Sequence, residues 1–457
     1  MLIEKIGGNH MKDFTKGNET KLILYFALPM LIGNILQQSY TIVDSIIVGR
    51  TLGKVALGAI VTTLPINFFM LSLTLGITMG ATIVIAQYYG AKDMQNLRKA
   101  VDTSFIFIMI CSIVIAILGY TFSYQILEFL RVPENVISHS AIYLKVTFLG
   151  IPLMFGYNII SSMLRGLGDS KRPLYFLMVS AIINIILDIL FVVVFKLGIL
   201  GSAYATLIAQ GSSFLIGFFY INKKNDMLKI SFKNLQLDKS ILYRILKIGV
   251  PAGVQYLLVS VAMMLVQSLI NGFGTETITA FGAAGRIDSI GTMTAITFSS
   301  ALSSFVAQNF GAGEYERVKK GFKSTIIMSM IIVLCITLII QIFKNGIMTM
   351  FVTDKDVIEI GIKYLAVNSL FYIFPTIQFI IYALFRGAGD SIIPMIISVS
   401  SLWIIRIPIA YFLSSKIGSD SIYWSNCASW FIGFVLAYVY YINGRWKNKV
   451  LRNYRKM

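Results

Sequence analysis

The sequence predicts an all-α integral membrane protein with twelve transmembrane helices, arranged as two six-helix lobes related by a parallel internal repeat. Its composition is 56% hydrophobic and only 13% charged, with a mean hydropathy of +0.77. Apolar runs of about 20 residues or more follow one another along most of the chain, which is typical of membrane spans. Because backbone polar groups cannot stay unpaired in hydrocarbon, such runs are expected to be helices.

Twelve apolar runs can be placed along the chain. They lie near 22–49, 55–89, 97–121, 137–164, 172–196, 199–221, 241–272, 277–309, 316–343, 357–385, 392–415 and 419–443. The loops on the side of the two termini, counted with the adjoining span ends, hold 28 of the 39 Lys and Arg residues, and the opposite loops with their span ends hold 7. By the positive-inside rule both termini are cytoplasmic, which agrees with an even number of spans. This alternation also argues against reading the net charge of +18 as a nucleic-acid surface.

Two phrases occur twice in the chain with the same spacing. RGLGDSKRP at 165–173 returns as RGAGDSIIP at 386–394, and AQYYGA at 86–91 returns as AQNFGA at 307–312, both 221 residues later. Each half therefore has six spans. Because six is even, both halves insert in the same direction, which gives a parallel repeat of the kind found in secondary transporters.

The repeat also sets the expected domain boundaries. We expect an N-terminal lobe at 1–221 with a polar cytoplasmic tail at 1–21, and a C-terminal lobe at 241–443. A cytoplasmic linker at 222–240 joins them, and a basic cytoplasmic tail follows at 444–457. The linker is interpreted as a solvated tether and topology signal, with contact to anionic lipid as the alternative.

The RG-x-GD motif is interpreted as a loop-forming motif that joins two helices. Gly168 and Gly389 allow a tight turn, and Asp169 or Asp390 is placed to cap the next helix. The phrase lacks the lysine-serine ending of a phosphate-binding loop and does not follow a strand.

These motifs, in this order and duplicated, resemble those of the multidrug and toxic compound extrusion (MATE) family. They are LPMLIGNILQQSYTIVDSIIVGR in the first span, AQYYGA, AQNFGAG, RGLGD and RGAGD, and the first-span motif is most similar to the DinF-like branch. The resemblance covers roughly residues 20–443. It implies two lobes around a central cavity, in the bacterial plasma membrane.

The resemblance also implies an activity and its partners. The implied activity is export of cationic amphipathic compounds by alternating access, driven by inward movement of Na+ or H+. No cofactor is expected besides this coupling ion. The expected partners are small organic cations and membrane lipids, with no nucleic acid, and the protein is expected to be a monomer.

Three carboxylates fall inside predicted spans, namely Asp44, Asp188 and Asp288. Each costs at least about 2.5–3.5 kcal/mol on insertion scales, so each is a candidate functional residue. Asp44 precedes Arg50 by six residues and Asp188 precedes Lys196 by eight, and both cations mark outer span ends. At about 1.5 Å per residue, both carboxylates lie roughly 9–12 Å below the outer surface of the first lobe.

Two neutral oxygen-bearing side chains are expected at the same depth. Asn184 lies four residues before Asp188 on the same helix face, and Thr206 lies seven residues into span 6. Two carboxylates together favour a proton or a small hard cation. The resemblance likewise assigns Asp44, Asn184, Asp188 and Thr206 to the first-lobe cation site, with Na+ as the only metal expected. The alternative is that these groups only join helices by hydrogen bonds.

The second half lacks these carboxylates. The repeat maps the four positions to Val266, Ile405, Ile409 and Cys427. Ion coupling is therefore expected in the first lobe alone. Asp288 and Arg406 are expected to form a structural ion pair in the second lobe.

Pro29 lies within span 1, fifteen residues before Asp44. A proline removes one helical hydrogen bond and favours a kink. The resemblance implies a hinge, which would bend when Asp44 is neutralised; a static kink is the alternative. Pro251 is its counterpart in the second half.

A substrate cavity is expected to have methionine and aromatic walls, which suit loose recognition of flat cations. The candidates are Gln37, Phe155, Tyr157, Met263, Met264 and Met293. Packing or lipid contact is the alternative for each of them.

Other functional classes make different demands on the sequence. A lipid-linked saccharide flippase, the alternative within transport, needs cations lining its cavity. Apart from Arg286, Arg406 and the span-end Lys145 and Lys363, cations suited to that role are absent, which disfavours the flippase. The chain has two histidines and three cysteines, and no catalytic constellation is visible, so it is not expected to be an enzyme. A structural or receptor-like protein would leave the paired aspartates unexplained.

Overall fold

The computed structural model describes residues 12–130, 132, 134–225, 227–231, 233, 235–444 and 446. Over these residues every regular element is helical, which confirms the predicted all-α fold class. The α-helices are α1 (Glu19–Gly90), α2 (Met94–Phe129), α3 (Glu134–Gly166), α4 (Lys171–Asp188), α5 (Ile199–Lys224), α6 (Lys239–Asn271), α7 (Thr275–Gly311), α8 (Tyr315–Thr349), α9 (Lys355–Phe371), α10 (Ile373–Gly387), α11 (Ile392–Val399), α12 (Ile407–Ile417) and α13 (Ser421–Ile442). Two π-helical segments, π1 (Ile189–Val194) and π2 (Ser400–Arg406), and a 3₁₀ turn at Gly418–Asp420 complete the set.

The helices are long and apolar enough to cross a membrane. In the described part of the chain ten helical stretches qualify, or eleven when α9 and α10, bent by 44°, are taken together. Two of the ten, Glu19–Leu52 and Thr62–Gly90, lie within α1. Another, Ile392–Ile442, has 51 residues and is interrupted by the 3₁₀ turn at Gly418–Asp420. Its length of about 76 Å is more than twice the hydrocarbon thickness, and dividing it at this turn gives the twelve expected spans.

The chain forms two compact units whose boundaries differ from the predicted lobes. Unit 1 holds Leu28–Gly249 together with Lys12 and Asp13, and unit 2 holds Phe14–Ala27 and the chain from Val250 onward. The predicted linker and the start of α6 thus pack with unit 1, and the start of α1 packs with unit 2. For example, the backbone N–H of Asp238 donates to Thr103 of α2 at 3.0 Å. Apolar runs locate spans, but they carry no information about such contacts between segments.

Each unit has its own apolar core. In unit 1 a cluster around Val48, Tyr143 and Val146 is buried. In unit 2, α7 is the innermost of the long helices, with 72% of its most apolar window buried, compared with 17% for α8. The buried face of α7 is rich in Ala, Ser and Gly. In lipid no hydrophobic driving force brings helices together, so their association relies on close packing. Small residues allow neighbouring helices to approach closely enough for this packing.

The first RG-x-GD phrase forms the predicted turn and cap. Gly168 has a φ of 79°, in the left-handed region. The carboxylate of Asp169 accepts hydrogen bonds from the backbone N–H groups of Lys171 and Arg172 at 3.1 and 3.2 Å. It also forms a buried ion pair of 2.6 Å with the Arg172 guanidinium. These bonds satisfy the free N–H groups at the start of α4.

Replacement of Gly168 tests how tightly this turn is packed. A Cβ at this position would clash with the backbone carbonyl oxygen of Lys12, whereas one at Gly313, with a φ of 74°, would meet nothing within 4 Å. The two glycines make the same backbone hydrogen bond at a helix end, since the N–H of Gly168 donates to Arg165 and that of Gly313 to Phe310. Gly168→Ala and Gly313→Ala should each cost about 1–2 kcal/mol of backbone strain. We expect Gly168→Ala to lower the thermal unfolding midpoint of the purified protein clearly further than Gly313→Ala does. Equal midpoints for the two variants would show that the Lys12 contact imposes no constraint.

Candidate functional site

Asp44 and Asp188 come together inside unit 1. Asp44 lies in the first span of α1 and Asp188 is the last residue of α4, and their carboxyl groups are within hydrogen-bonding reach of each other. The Asp188 side chain has no solvent exposure, and neither of its oxygens has a hydrogen-bond donor among the described residues. Two carboxylates this close repel each other strongly in a low-dielectric interior unless a proton or a cation lies between them. The pair therefore has the chemistry of an ion-binding site.

Neutral oxygen atoms from α4 and α5 surround the pair. The Ser202 hydroxyl donates to Asp44 Oδ1 at 2.9 Å, and the Asn184 amide donates to the Thr206 hydroxyl at 3.5 Å. Asn184 is 2% exposed, and its Oδ1 has no partner among the described residues. Three helices thus bring together oxygen atoms only. This donor set suits a proton or a hard cation such as sodium rather than a soft transition metal.

Two residues near the pair were missed by the sequence reasoning. Ser202 lies four residues before Thr206 on α5, so the helical period already placed it on the same face. Tyr143 is buried and close enough to interact electrostatically with both carboxylates. It belongs to a Tyr-Leu pair that returns as Tyr364-Leu365 in the second half. In both cases the signal was present in the sequence, as a shared face or as a repeat.

The helix geometry changes directly after Asp188. α4 ends at this residue and π1 follows, and in the matching span of the second half π2 ends at Arg406. A π turn carries more residues than an α turn, so it shifts the register of the side chains that follow it. Such segments occur frequently at functional sites. The backbone irregularity thus occurs in both halves, although the carboxylates do not.

The charged groups of unit 2 are arranged differently. Asp288 Oδ2 accepts a hydrogen bond from the Tyr364 hydroxyl at 3.2 Å. The guanidinium of Arg406, which is 7% exposed, donates to the Met263 sulfur at 3.3 Å. Asp288 and Arg406 interact electrostatically, but the hydrogen bonds that join them to side chains go to these other partners. The predicted ion pair therefore acts through space in this structure and not by direct contact.

Two of the predicted cavity residues are engaged within unit 1. Phe155 has no exposed surface, so its side chain lines no accessible cavity in this structure, which corrects the prediction. The Tyr157 hydroxyl donates to the backbone carbonyl of Pro173 at 3.1 Å.

The other cavity candidates are more accessible. Met263 and Met264 are 48% and 47% exposed, Gln37 is exposed, and Met293 is partly buried. Their role in substrate contact stays a prediction.

The described residues form an all-α fold with ten to twelve membrane-length helices, a duplicated half and a close pair of carboxylates, which together define a multi-pass membrane protein of the transporter class. Its family follows from the sequence match. The family model MatE matches residues 29–190 and 251–412, once in each half. The chain belongs to the MatE (MATE) family, which confirms the predicted family and places the chain among transporters and not among enzymes.

Similar proteins agree with this assignment. "Probable multidrug resistance protein YpnP" of Bacillus subtilis (strain 168) is 33% identical over 95% of this chain and 97% of its own length. "Multidrug export protein MepA" of Staphylococcus haemolyticus (strain JCSC1435) is 24% identical over 91% and 92%. A structure described as the outward-facing conformation of a multidrug resistance MATE family transporter of the MOP superfamily matches with a TM-score of 0.90 at 21% identity. It covers 96% of this chain and 98% of that chain, and this likeness shows the fold.

The Ser202 hydrogen bond can be tested by ion binding. In Ser202→Ala, Asp44 loses a donor that competes with the bound ion, so the pair should bind its ion more tightly. We expect the half-saturating ion concentration to fall by about tenfold, because a hydrogen bond to a charged group is worth about 1.5–3 kcal/mol. Titration of the purified protein with sodium and with acid measures this change.

Ser213→Ala is the matched control for this titration. Ser213 is also buried on α5, but it donates only to the backbone carbonyl of Gln210, at 2.8 Å. Its replacement should leave the affinity for the ion unchanged. Identical ion affinities for both variants and the wild type would contradict a role for Ser202 at the site.

Proposed function

We propose that this protein is a secondary active multidrug exporter of the bacterial cell membrane, which moves cationic amphipathic compounds outward in exchange for Na+ or H+. The observation that carries the proposal is the close Asp44–Asp188 pair, in which Asp188 is fully buried and Asp44 half-buried. Membership of the MatE family and the names of the relatives, multidrug resistance and multidrug export, support the same substrate class. In this proposal both termini are cytoplasmic and the protein works as a monomer.

The carboxylate pair supplies the coupling step. Exchange of an ion for a drug requires that the two ligands prefer different conformations, because a ligand that binds both conformations equally shifts nothing. Two carboxylates that repel each other when no ion is bound lose this repulsion when an ion binds. Ion binding therefore changes the electrostatic surroundings of the pair strongly. The Ser202 hydrogen bond to Asp44 partly stabilises the empty state. It therefore keeps the ion from binding so tightly that it could not leave.

Pro29 is proposed as the point where α1 responds to the ion. It lies inside α1, fifteen residues before Asp44 on the same helix. Because a proline leaves one backbone carbonyl without its helical donor, α1 is weakest near this residue. Loss of charge at Asp44 would then be relieved by a bend at Pro29. Pro251 occupies the equivalent place in α6.

A lipid-linked saccharide flippase is the less favoured alternative. Such a protein must attract an anionic pyrophosphate. The Asp44–Asp188 pair of unit 1 is acidic and would repel that group. The relatives named above are described as multidrug proteins, and their names mention no lipid carrier.

Dye efflux from proteoliposomes tests the function and the site together. We expect wild-type protein to export a fluorescent cation under either an imposed proton gradient or an imposed sodium gradient, which identifies the coupling ion. Asp44→Asn and Asp188→Asn should each lose ion-dependent export by about tenfold or more, because neither variant retains the charge pair. Asp288→Asn, a carboxylate change in unit 2, should keep the ion dependence.

Two outcomes would contradict the proposal in different ways. Ion-coupled export that survives both first-unit substitutions would remove the proposed site and leave the family function intact. A folded wild-type protein that moves no cationic dye under either gradient would remove the exporter function and favour the flippase.

A further inference from the structure

The repeated AQ-x-x-GA motif has no part in the mechanism above. Each copy ends a helix, since α1 ends at Gly90 and α7 ends at Gly311. In the second copy the polar side chains of Gln308 and Asn309 have no solvent exposure. Buried amides are costly unless they are hydrogen-bonded, so the partners of these two residues show what the motif does.

Both amides bind the backbone of Phe14. Gln308 Oε1 accepts from the Phe14 N–H at 3.0 Å, and Asn309 Nδ2 donates to the Phe14 carbonyl at 3.2 Å. Arg317 of α8 donates to the same carbonyl at 3.1 Å and to the Gly17 carbonyl at 2.9 Å. All these residues belong to unit 2. The motif and Arg317 thus recognise a turn of the chain at Phe14–Gly17 by its main-chain groups.

The Phe14 side chain fills an aromatic pocket. It has no exposed surface and lies edge-on to Phe26, with ring centroids 5.1 Å apart, and 5.8 Å from the ring of Phe305. Arg317 also forms an ion pair of 3.3 Å with Glu19, in the first turn of α1. One buried aromatic anchor with satisfied backbone groups is the arrangement of a peptide-binding site.

The first copy of the motif contacts the start of the second half, but through a side chain and not through main-chain groups. In unit 1 the Arg244 guanidinium donates to the Tyr88 hydroxyl at 2.8 Å and to Gln87 Oε1 at 3.5 Å, and lies 5.1 Å from the centre of the Tyr88 ring. Arg244 is near the start of α6, the first span of the second half, just as Phe14 precedes α1. Each motif copy therefore holds the segment that enters a first span. This explains why Phe14–Ala27 groups with unit 2, and the start of α6 with unit 1.

We propose that Phe305, Gln308, Asn309 and Arg317 form a peptide-binding site whose occupant is the chain's own N-terminal arm, Phe14–Gly17, and that transport requires this site to be occupied. The docked arm anchors Glu19–Ala27 within unit 2. α1 then passes into unit 1 at Leu28, one residue before Pro29, so bending is concentrated at this proline. The transport role rests on the proposed exporter function, whereas peptide binding does not.

Binding of the arm in trans tests the site itself. The chain lacking residues 1–17 should bind a fluorescent peptide of residues 12–18 saturably. The peptide with Phe14→Ala should bind roughly tenfold more weakly or worse, as expected for loss of a buried aromatic anchor. Arg317→Gln in the protein should weaken binding similarly. Lys319→Gln is the matched control, because Lys319 on the same helix bonds to the exposed Glu316 and not to the arm.

The intact chain provides a second readout. Trypsin cleavage after Lys16 requires the arm to leave its pocket, so Phe14→Ala should speed this cleavage by roughly tenfold or more, and Phe14→Leu should be closer to wild type. Export should fall in the deleted chain and recover when the peptide is added.

The possible failures can be told apart. No saturable binding, or equal binding of both peptides, overturns the peptide site whatever the protein transports. Normal export by the deleted chain overturns the transport role. If wild type exports nothing, the exporter function fails, and the binding and cleavage results still decide whether the arm docks.

Discussion

Electrostatic repulsion between the carboxylates of Asp44 and Asp188 is the constraint on which the proposed function of this protein depends. Asp188 has no solvent exposure and lies within reach of Asp44, with no donor of its own among the described residues. In a low-dielectric interior such a pair needs a positive ion or a change of surroundings. In the proposed exchange, the hydrogen bond from Ser202 and the oxygen of Asn184 without a described partner would set how tightly the ion is held.

The two units share a scaffold and differ in charge balance. Tyr143 lies near the paired acids in unit 1, and its repeat counterpart Tyr364 donates to Asp288 in unit 2. In unit 2 a buried cation, Arg406, balances the single acid through space. An already neutral cluster gains little by binding an ion, whereas two like charges gain much. The proposed ion exchange is therefore assigned to one half of a duplicated fold.

The repeated motifs serve to hold the chain in place. RG-x-GD turns the chain and caps the next helix, as Asp169 shows at the start of α4. AQ-x-x-GA receives the segment that enters a first span, through Gln308 and Asn309 in one copy and Gln87 and Tyr88 in the other. Both devices satisfy backbone or charged groups near helix ends, where the chain leaves regular structure. Each motif is duplicated because each half has its own helix ends and its own entry segment to hold.

The sequence by itself determined the all-α membrane fold, the duplication and the shared depth of Asp44 and Asp188, because span length, charge asymmetry and helical rise are local properties. Only the tertiary structure decided that Phe155 is fully buried and that the Arg406 guanidinium donates to the Met263 sulfur. The same holds for the grouping of Phe14 with unit 2. These outcomes depend on which helix faces meet. Apolar residues suit lipid and protein surroundings equally well, so hydrophobic pattern cannot distinguish the two in a membrane protein.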